Sequence, residues 1–355
     1  MPANALDYIT IRGFKSIASV EKLAIKPINL VIGANGSGKS NFIGAFEFLR
    51  AINEGMLATY VTTAGGAEKV LHFGSKNTER IDIELSFPRD FSQYSICLRP
   101  TAADGLFIDT DNIRGQEDQE EAVNRPTREN VREWVKNHLG LWRIYHLQDT
   151  GRSSLMRKTS AIDDNRFLRS DGGNLPAFLY ILREKHQDSY NLIVRTIRQV
   201  APFFQDFQLA PLLKNLETIK LQWCHKNSDQ YFDASSLSDG TLRFIALATL
   251  FLQPAELRPS LILVDEPELG LHPYALELLA SLIRQASITS QVIVSTQSSL
   301  FLDHFSPEDV IVAERVDDAT QLTRLDPDRL AKWLEDYSLG QLWEKNEFGG
   351  RPVPG

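Results

Sequence analysis

The sequence predicts an α/β protein with a mixed β-sheet core, and three stretches carry that prediction. The first hundred residues hold four strand-like runs, the octet GANGSGKS lies between a strand and a helix, and residues 260–296 alternate strand, helix, strand.

The early strands are DYITIRGF, INLVIG, IDIELSF and QYSICLR, each rich in β-branched or aromatic residues. A helix is expected from Lys39 to about Ile52, because Phe42, Phe46 and Leu49 recur at helical spacing. Residues 111–121 are acidic and Gly-containing and read as an exposed loop. The middle of the chain reads as helical. TRENVREWVKNHLG has Thr127 as its cap and Val131, Trp134 and Val135 on one face, and NLPAFLYILREK and SYNLIVRTIRQV follow, closed by Pro202. LILVDE is then a strand, PYALELLASLIRQ a helix with Pro273 in its first turn, and QVIVST a strand, which makes a βαβ unit with parallel strands. DRLAKWLED reads as a last helix before an apolar tail interrupted by glycines and prolines.

Composition narrows the class. The chain has 355 residues, 43% hydrophobic and 24% charged, which is ordinary for a globular protein. No window approaches the run of about 18 apolar residues that a membrane helix needs, and MPANALDYIT is not a signal peptide. The two cysteines, Cys97 and Cys224, form no CxxC pair and imply neither a disulfide framework nor a zinc site. A cytoplasmic protein without a membrane partner is expected. The net charge of -8 argues against a broad nonspecific phosphate-binding surface. Arg152, Arg157, Lys158, Arg166 and Arg169 nevertheless make one local basic strip.

Gly33-Ala34-Asn35-Gly36-Ser37-Gly38-Lys39-Ser40 matches G-x-x-x-x-G-K-[ST] in full and in the right context. Backbone N–H groups of such a loop, with the following Asn41 at the helix start, cradle phosphate oxygens. Lys39 reaches the β- and γ-phosphates and Ser40 ligates Mg²⁺. ATP and Mg²⁺ are therefore the expected cofactors. Leu261–Asp265 is an apolar strand with two carboxylates at its tip. Asp265 suits Mg²⁺ as a hard oxygen donor, and Glu266 suits activation of the attacking water. Ser236-Leu-Ser-Asp-Gly-Thr241 opens an apolar helix, and Ser238 or Asp239 can cap it.

The set GANGSGKS, LSDGT, LVDEPELGLHP and STQS, in that order, resembles an ABC-type ATPase head. The opening IRGFKSI resembles the SMC and RecF branch. DEPELGLHP further resembles stand-alone prokaryotic ATPases related to the overcoming-lysogenization nucleases, many of which are found in phage-defence operons. The resemblance covers roughly residues 1–110 and 233–315. It implies a single head over residues 1–355, made of lobe I with the P-loop (1–110), a mainly helical insertion (111–232), lobe II with the signature, the Walker B strand and the switch strand (233–320), and a C-terminal helix and tail (321–355). It also implies that Ser238 and Gly240 of one subunit cap the γ-phosphate held by Lys39 of another, in a head-to-tail homodimer or higher homo-oligomer. Asp239 departs from the pattern, since it replaces a glycine. His272 matches a residue that communicates across the dimer, with helix capping as the plain alternative.

Gln297, in STQS, stands where this class usually places a histidine against the γ-phosphate. A side-chain amide can donate to phosphate and accept from water, but it does not titrate near neutrality as His does. Gln148, in WRIYHLQDT, is the candidate for the glutamine that senses Mg²⁺ and water between the lobes, with His146 as its rival.

Two functions follow from these readings. One is an ATP-driven switch that controls a separate effector protein in prokaryotic anti-phage defence. The other is a RecF-like DNA-repair ATPase that grips duplex DNA, in which case nucleic acid is a partner. A transporter ATPase is disfavoured by the insertion and by IRGFKSI. Only about forty residues follow the last β-like stretch, too few for a nuclease domain of the overcoming-lysogenization type, so any nuclease is expected on another chain.

Overall fold

A computed structural model describes residues 5–87, 93–114 and 128–350. These divide into two compact units, Met1–Trp142 with Phe305–Gly355, and Arg143–His304. Each is described by itself.

The first unit opens with β1 (Tyr8–Phe14), β2 (Ile17–Ala24) and β3 (Ile28–Ile32), followed by α1 (Lys39–Asn53), α2 (Leu57–Thr63) and α3 (Ala67–Val70). β4 (Ile81–Ser86), β5 (Gln93–Pro100), β6 (Leu106–Arg114) and α4 (Arg128–Gly140) come next. The strands β2-β1-β4-β5-β6 form an antiparallel sheet. β4 buries every second residue, Ile81, Ile83 and Leu85, as a sheet with one packed face requires. The expected face of α1 is buried, and Phe42 and Phe46 meet edge to face at 5.3 Å. β6 runs to Arg114, so 111–114 are strand and not the loop expected there: each residue has a pairing partner on β5, which composition cannot reveal. The rest of that expected loop, and the cap Thr127, lie outside the described residues.

The second unit begins one residue into β7 (Trp142–Tyr145) and contains β8 (Thr159–Ala161), α5 (Leu175–Lys185), α6 (Gln187–Val200), β9 (Phe204–Gln208), β10 (Pro211–Leu212), β11 (Asn215–Lys220), β12 (Gln222–His225) and β13 (Tyr231–Asp233). α7 (Asp239–Leu252), β14 (Leu261–Asp265), α8 (Pro273–Ala286), β15 (Gln291–Thr296) and α9 (Ser299–Leu302) complete it. The expected helices of the middle region are present as α4, α5 and α6. The region also contains two three-stranded sheets, β10-β11-β8 and β13-β12-β9, beside these helices. Their strands are two to six residues long, and β8 pairs with β11 across 57 residues, as in Ala161↔Thr218. No local period signals such pairing. α7 is apolar on all sides and buried from Leu242 to Leu252, as befits a central helix. β14 and β15 pair in parallel with Leu261↔Gln291 through Asp265↔Ser295, as the βαβ reading requires.

The chain returns to the first unit with β16 (Val310–Val316) and β17 (Ala319–Arg324), and β16 pairs in parallel with β3. The expected last helix is broken into α10 (Pro327–Leu330) and a 3₁₀ turn at Trp333–Glu335; α11 (Leu339–Glu344) follows. The tail packs at home. Leu339, Leu342 and Trp343 are buried, and Gly350 N donates to Glu314 Oε1 at 2.9 Å. No helix of the described residues is long and apolar enough to cross a membrane.

Candidate functional site

The P-loop belongs to the first unit. β3 is buried along its whole length and delivers the chain to Gly33, and α1 starts at Lys39. Asn35 and Gly36 are exposed at the loop tip, Ala34 is half-buried, and the Ser40 side chain is exposed. Lys39 is buried, and its Nζ donates to the carbonyl oxygens of Gly33 at 2.7 Å and Ala34 at 3.0 Å. Gly38, which caps α1, has φ +104, and a Cβ there would lie 1.9 Å from Thr320 Oγ1, so only glycine fits.

Thr320 is the reason for that crowding. Its hydroxyl is buried, donates to Ser37 O at 2.9 Å and lies 2.7 Å from Ser16 Oγ. Asn41 Nδ2 donates to Ser16 Oγ at 2.6 Å. The turn Lys15-Ser16 between β1 and β2 thus ties IRGFKSI to the loop and to β17. Ser37 Oγ is buried with no hydrogen-bond partner among the described residues.

The second unit brings four predicted residues together. Ser295 pairs with Asp265 in the sheet, and its hydroxyl donates to Asp265 Oδ1. Gln148 Nε2 donates to Asp265 Oδ2 at 3.2 Å. His146, the rival to Gln148, is exposed, and its backbone N–H goes to Ser170 O at 2.9 Å. Glu266 turns with φ +44, an uncommon conformation for a non-glycine residue, while its N–H donates to Ser295 O at 2.9 Å. That turn points its carboxylate at the end of β15, where Gln297 Nε2 donates to Glu266 Oε1. A carboxylate and an amide facing one point supply the donors and acceptors needed to orient a water molecule.

Glu268 was missed in the sequence. It is buried, and its Oε1 accepts from the Thr296 hydroxyl at 2.6 Å and from Gln297 N at 3.0 Å, while Oε2 has no partner among the described residues. Burial pushes its carboxyl above the usual Glu range, against the pull of those hydrogen bonds, and the Glu266 charge pushes the same way as burial. Its side chain ties the turn after β14 to the end of β15 and thereby fixes the backbone of Gln297.

The signature residues cap α7. Ser238 Oγ accepts from Thr241 N at 3.1 Å. Gly240 has a local cause: a Cβ there would lie 2.3 Å from Gly270 O, so the start of α7 and the turn after Glu266 approach too closely for a side chain. Asp239 pairs with Arg157 at 2.8 Å. Arg243, one turn into α7, is buried and donates to Leu147 O at 3.1 Å and Gln148 O at 2.6 Å, holding the backbone of the Gln148 segment. A lone arginine in the apolar run TLRFIALATLFL was the available signal for it, and Ser16 lies within IRGFKSI; Thr320 had none. His272 is the N-cap of α8, and its Nδ1 accepts from Tyr274 N at 3.3 Å, the plainer of its two readings.

Two residues of the basic strip are engaged within the protein. Arg157 is buried against the signature loop, and Arg169 pairs with Asp164 at 3.6 Å and Asp171 at 3.3 Å.

The residues fit the expected cofactors. The unpartnered Ser37 hydroxyl and the glycine-rich loop suit a phosphate, and Asp265 offers a carboxylate for Mg²⁺. No cluster of three or more His, Cys, Asp or Glu that could hold a metal occurs among the described residues.

Residues 28–303 match the family described as "AAA domain, putative AbiEii toxin, Type IV TA system". No curated protein matches the chain. Solved structures similar to it include an SMC head bound to the C-terminal winged-helix domain of ScpA, with 19% identity, a TM-score of 0.61, and coverage of 91% of this chain and 99% of that one. An SMC head from Pyrococcus furiosus, bound to the C-terminal domain of ScpA, gives 16%, 0.60, 94% and 99%. The SMC head domain from Thermotoga maritima gives 16%, 0.51, 92% and 100%. The fold is therefore that of the SMC-type ATPase head.

Proposed function

The chain belongs to this AAA domain family, and from that premise we propose that it is an ATP-binding and ATP-hydrolysing switch that assembles through its signature motif and controls a separate effector protein in anti-phage defence. The reading is supported above all by Gln297 donating to Glu266, the residue expected to activate water. In this reading Lys39 and the N–H groups of residues 33–41 hold the phosphates. Ser40, Asp265 and Gln148 hold Mg²⁺, which when bound neutralises charge on the β- and γ-phosphates.

Glu266 accepts the proton of the attacking water, and Gln297 orients that water and contacts the γ-phosphate. The strained turn at Glu266 fits a group held ready for chemistry. Ser238 and Gly240 of a second copy cap the γ-phosphate at the N-terminus of α7. ATP therefore joins two copies, and hydrolysis separates them.

The family's description, a toxin of a toxin–antitoxin system, supports a role in defence. The SMC heads bound to a ScpA domain offer the precedent of an ATPase head that carries a protein partner. The net charge of -8 and the loss of Arg157 and Arg169 from the basic strip favour a protein effector over duplex DNA.

Glu266→Gln tests the proposal. It should bind ATP, hydrolyse it at least a hundredfold more slowly (roughly the worth of a general base) and accumulate as an ATP-dependent assembly in light scattering. Wild-type turnover, or no gain in mass with ATP, would reject it.

A further inference from the structure

The signature reads LSDGT, so a carboxylate stands at the first position of α7. Asp239 is 64% exposed there. Its charge suits the positive end of the helix, yet it opposes a phosphate approaching the same N–H groups. An acceptor loop of this kind needs a local counter-charge.

Arg157 provides it. Its side chain is only 8% exposed. Nε donates to Thr150 O at 2.8 Å. Nη1 donates to Ala234 O and, at 3.2 Å, to Leu237 O. Nη2 donates to Leu237 O at 3.2 Å and to Asp239 Oδ1 at 2.8 Å. One guanidinium thus pairs with the carboxylate and holds two carbonyls of the loop that leads into Ser238. Such a fork is not reproduced by lysine, whose charge is a single point. A cleft of about 770 Å³ lies beside it, lined by Arg152, Lys158, Ser235, Ser238 and Asp239. Two further cations flank that opening, so with Asp239 cancelled the cleft is suited to an anion.

We propose that Arg157 is a positioning residue: it cancels the charge of Asp239 and fixes the signature loop, so that the N-terminus of α7 accepts the nucleotide phosphates presented by a second copy of the chain. The proposal rests on the trans-signature reading above.

The test uses the full chain carrying Glu266→Gln, with assembly measured against protein concentration at saturating ATP, and nucleotide affinity measured separately with a fluorescent ATP analogue. Arg157→Ala should weaken assembly about tenfold or more, the worth of a charged hydrogen-bonding group, while nucleotide affinity holds. Asp239→Asn should assemble as tightly as the parent or more tightly. Arg157→Ala combined with Asp239→Asn should recover most of the loss. A parent that gains no mass with ATP ends the trans-signature reading and this proposal with it. A parent that assembles while Arg157→Ala assembles equally well ends this proposal alone, and so does a double variant as weak as Arg157→Ala. If Arg157→Ala fails to fold, Asp239→Asn decides: weaker assembly than the parent means the carboxylate itself is needed, and charge cancellation is wrong.

Discussion

The side-chain amide of Gln297, one residue past β15, donates to the carboxylate of Glu266, one residue past β14. The two strands are parallel neighbours, so their tips rise at the same edge of the sheet, where ligands gather in open α/β folds. Gln297→Ala should lower kcat by tenfold or more, roughly the worth of one positioned group, with little change in KM for ATP. Steady-state kinetics checks it, and unchanged kcat would reduce Gln297 to a polar strand end. Gln297→His should keep part of the activity and add a pH dependence near neutrality, because imidazole titrates there and an amide does not.

Glu268 predicts a pH effect on stability. Its carboxyl is raised in the folded protein by burial. Such a group favours folding while protonated, below the ordinary Glu range, and that stability is lost as pH rises through its raised value. Glu268→Gln keeps an acceptor for Thr296 and Gln297 N and carries no charge. The Tm of wild type should therefore fall relative to Glu268→Gln as pH rises through and above the ordinary Glu range. Parallel melting curves across that range would contradict the assignment.

Gly38 is predicted to be irreplaceable. Gly38→Ala places a methyl 1.9 Å from Thr320 Oγ1 at a φ of +104, and strain of this kind costs about 1–3 kcal/mol. Nucleotide affinity should drop at least tenfold by fluorescence titration. Thr320→Ala added to it should ease the clash, though the Cβ at 320 still lies 2.8 Å away, and leave the backbone strain, and so restore binding only in part. Full affinity in the single variant would show that the loop tolerates a side chain.

The tail is part of the core of its unit. Trp343 is buried, and Trp343→Ala should cost about 3–5 kcal/mol, read from the denaturant midpoint. Truncation after Asp336 should likewise lower stability. A truncated protein that melts like wild type would show that the tail adds nothing to the core.

The sequence alone determined the elements whose signal is local. The P-loop is legible because glycines and a lysine at fixed spacing follow a buried strand, and the βαβ unit around Asp265 because its periods switch cleanly from strand to helix and back. Gln297 and Glu266 could be named as tip residues for the same reason. Tertiary structure decided what depends on residues far apart in the chain. Most of the strands β8 to β13 are too short to carry a period, and β8 finds its partner β11 across 57 residues, as in Ala161↔Thr218. Thr320 clamps a loop some 280 residues earlier, Arg157 reaches Asp239 across 82 residues, and Glu268 became visible only when burial and two hydrogen bonds singled it out among ordinary acids. Local spacing encodes periodicity and capping. It cannot encode which buried polar groups will meet, because that is fixed only when the chain packs and each of them must find a partner.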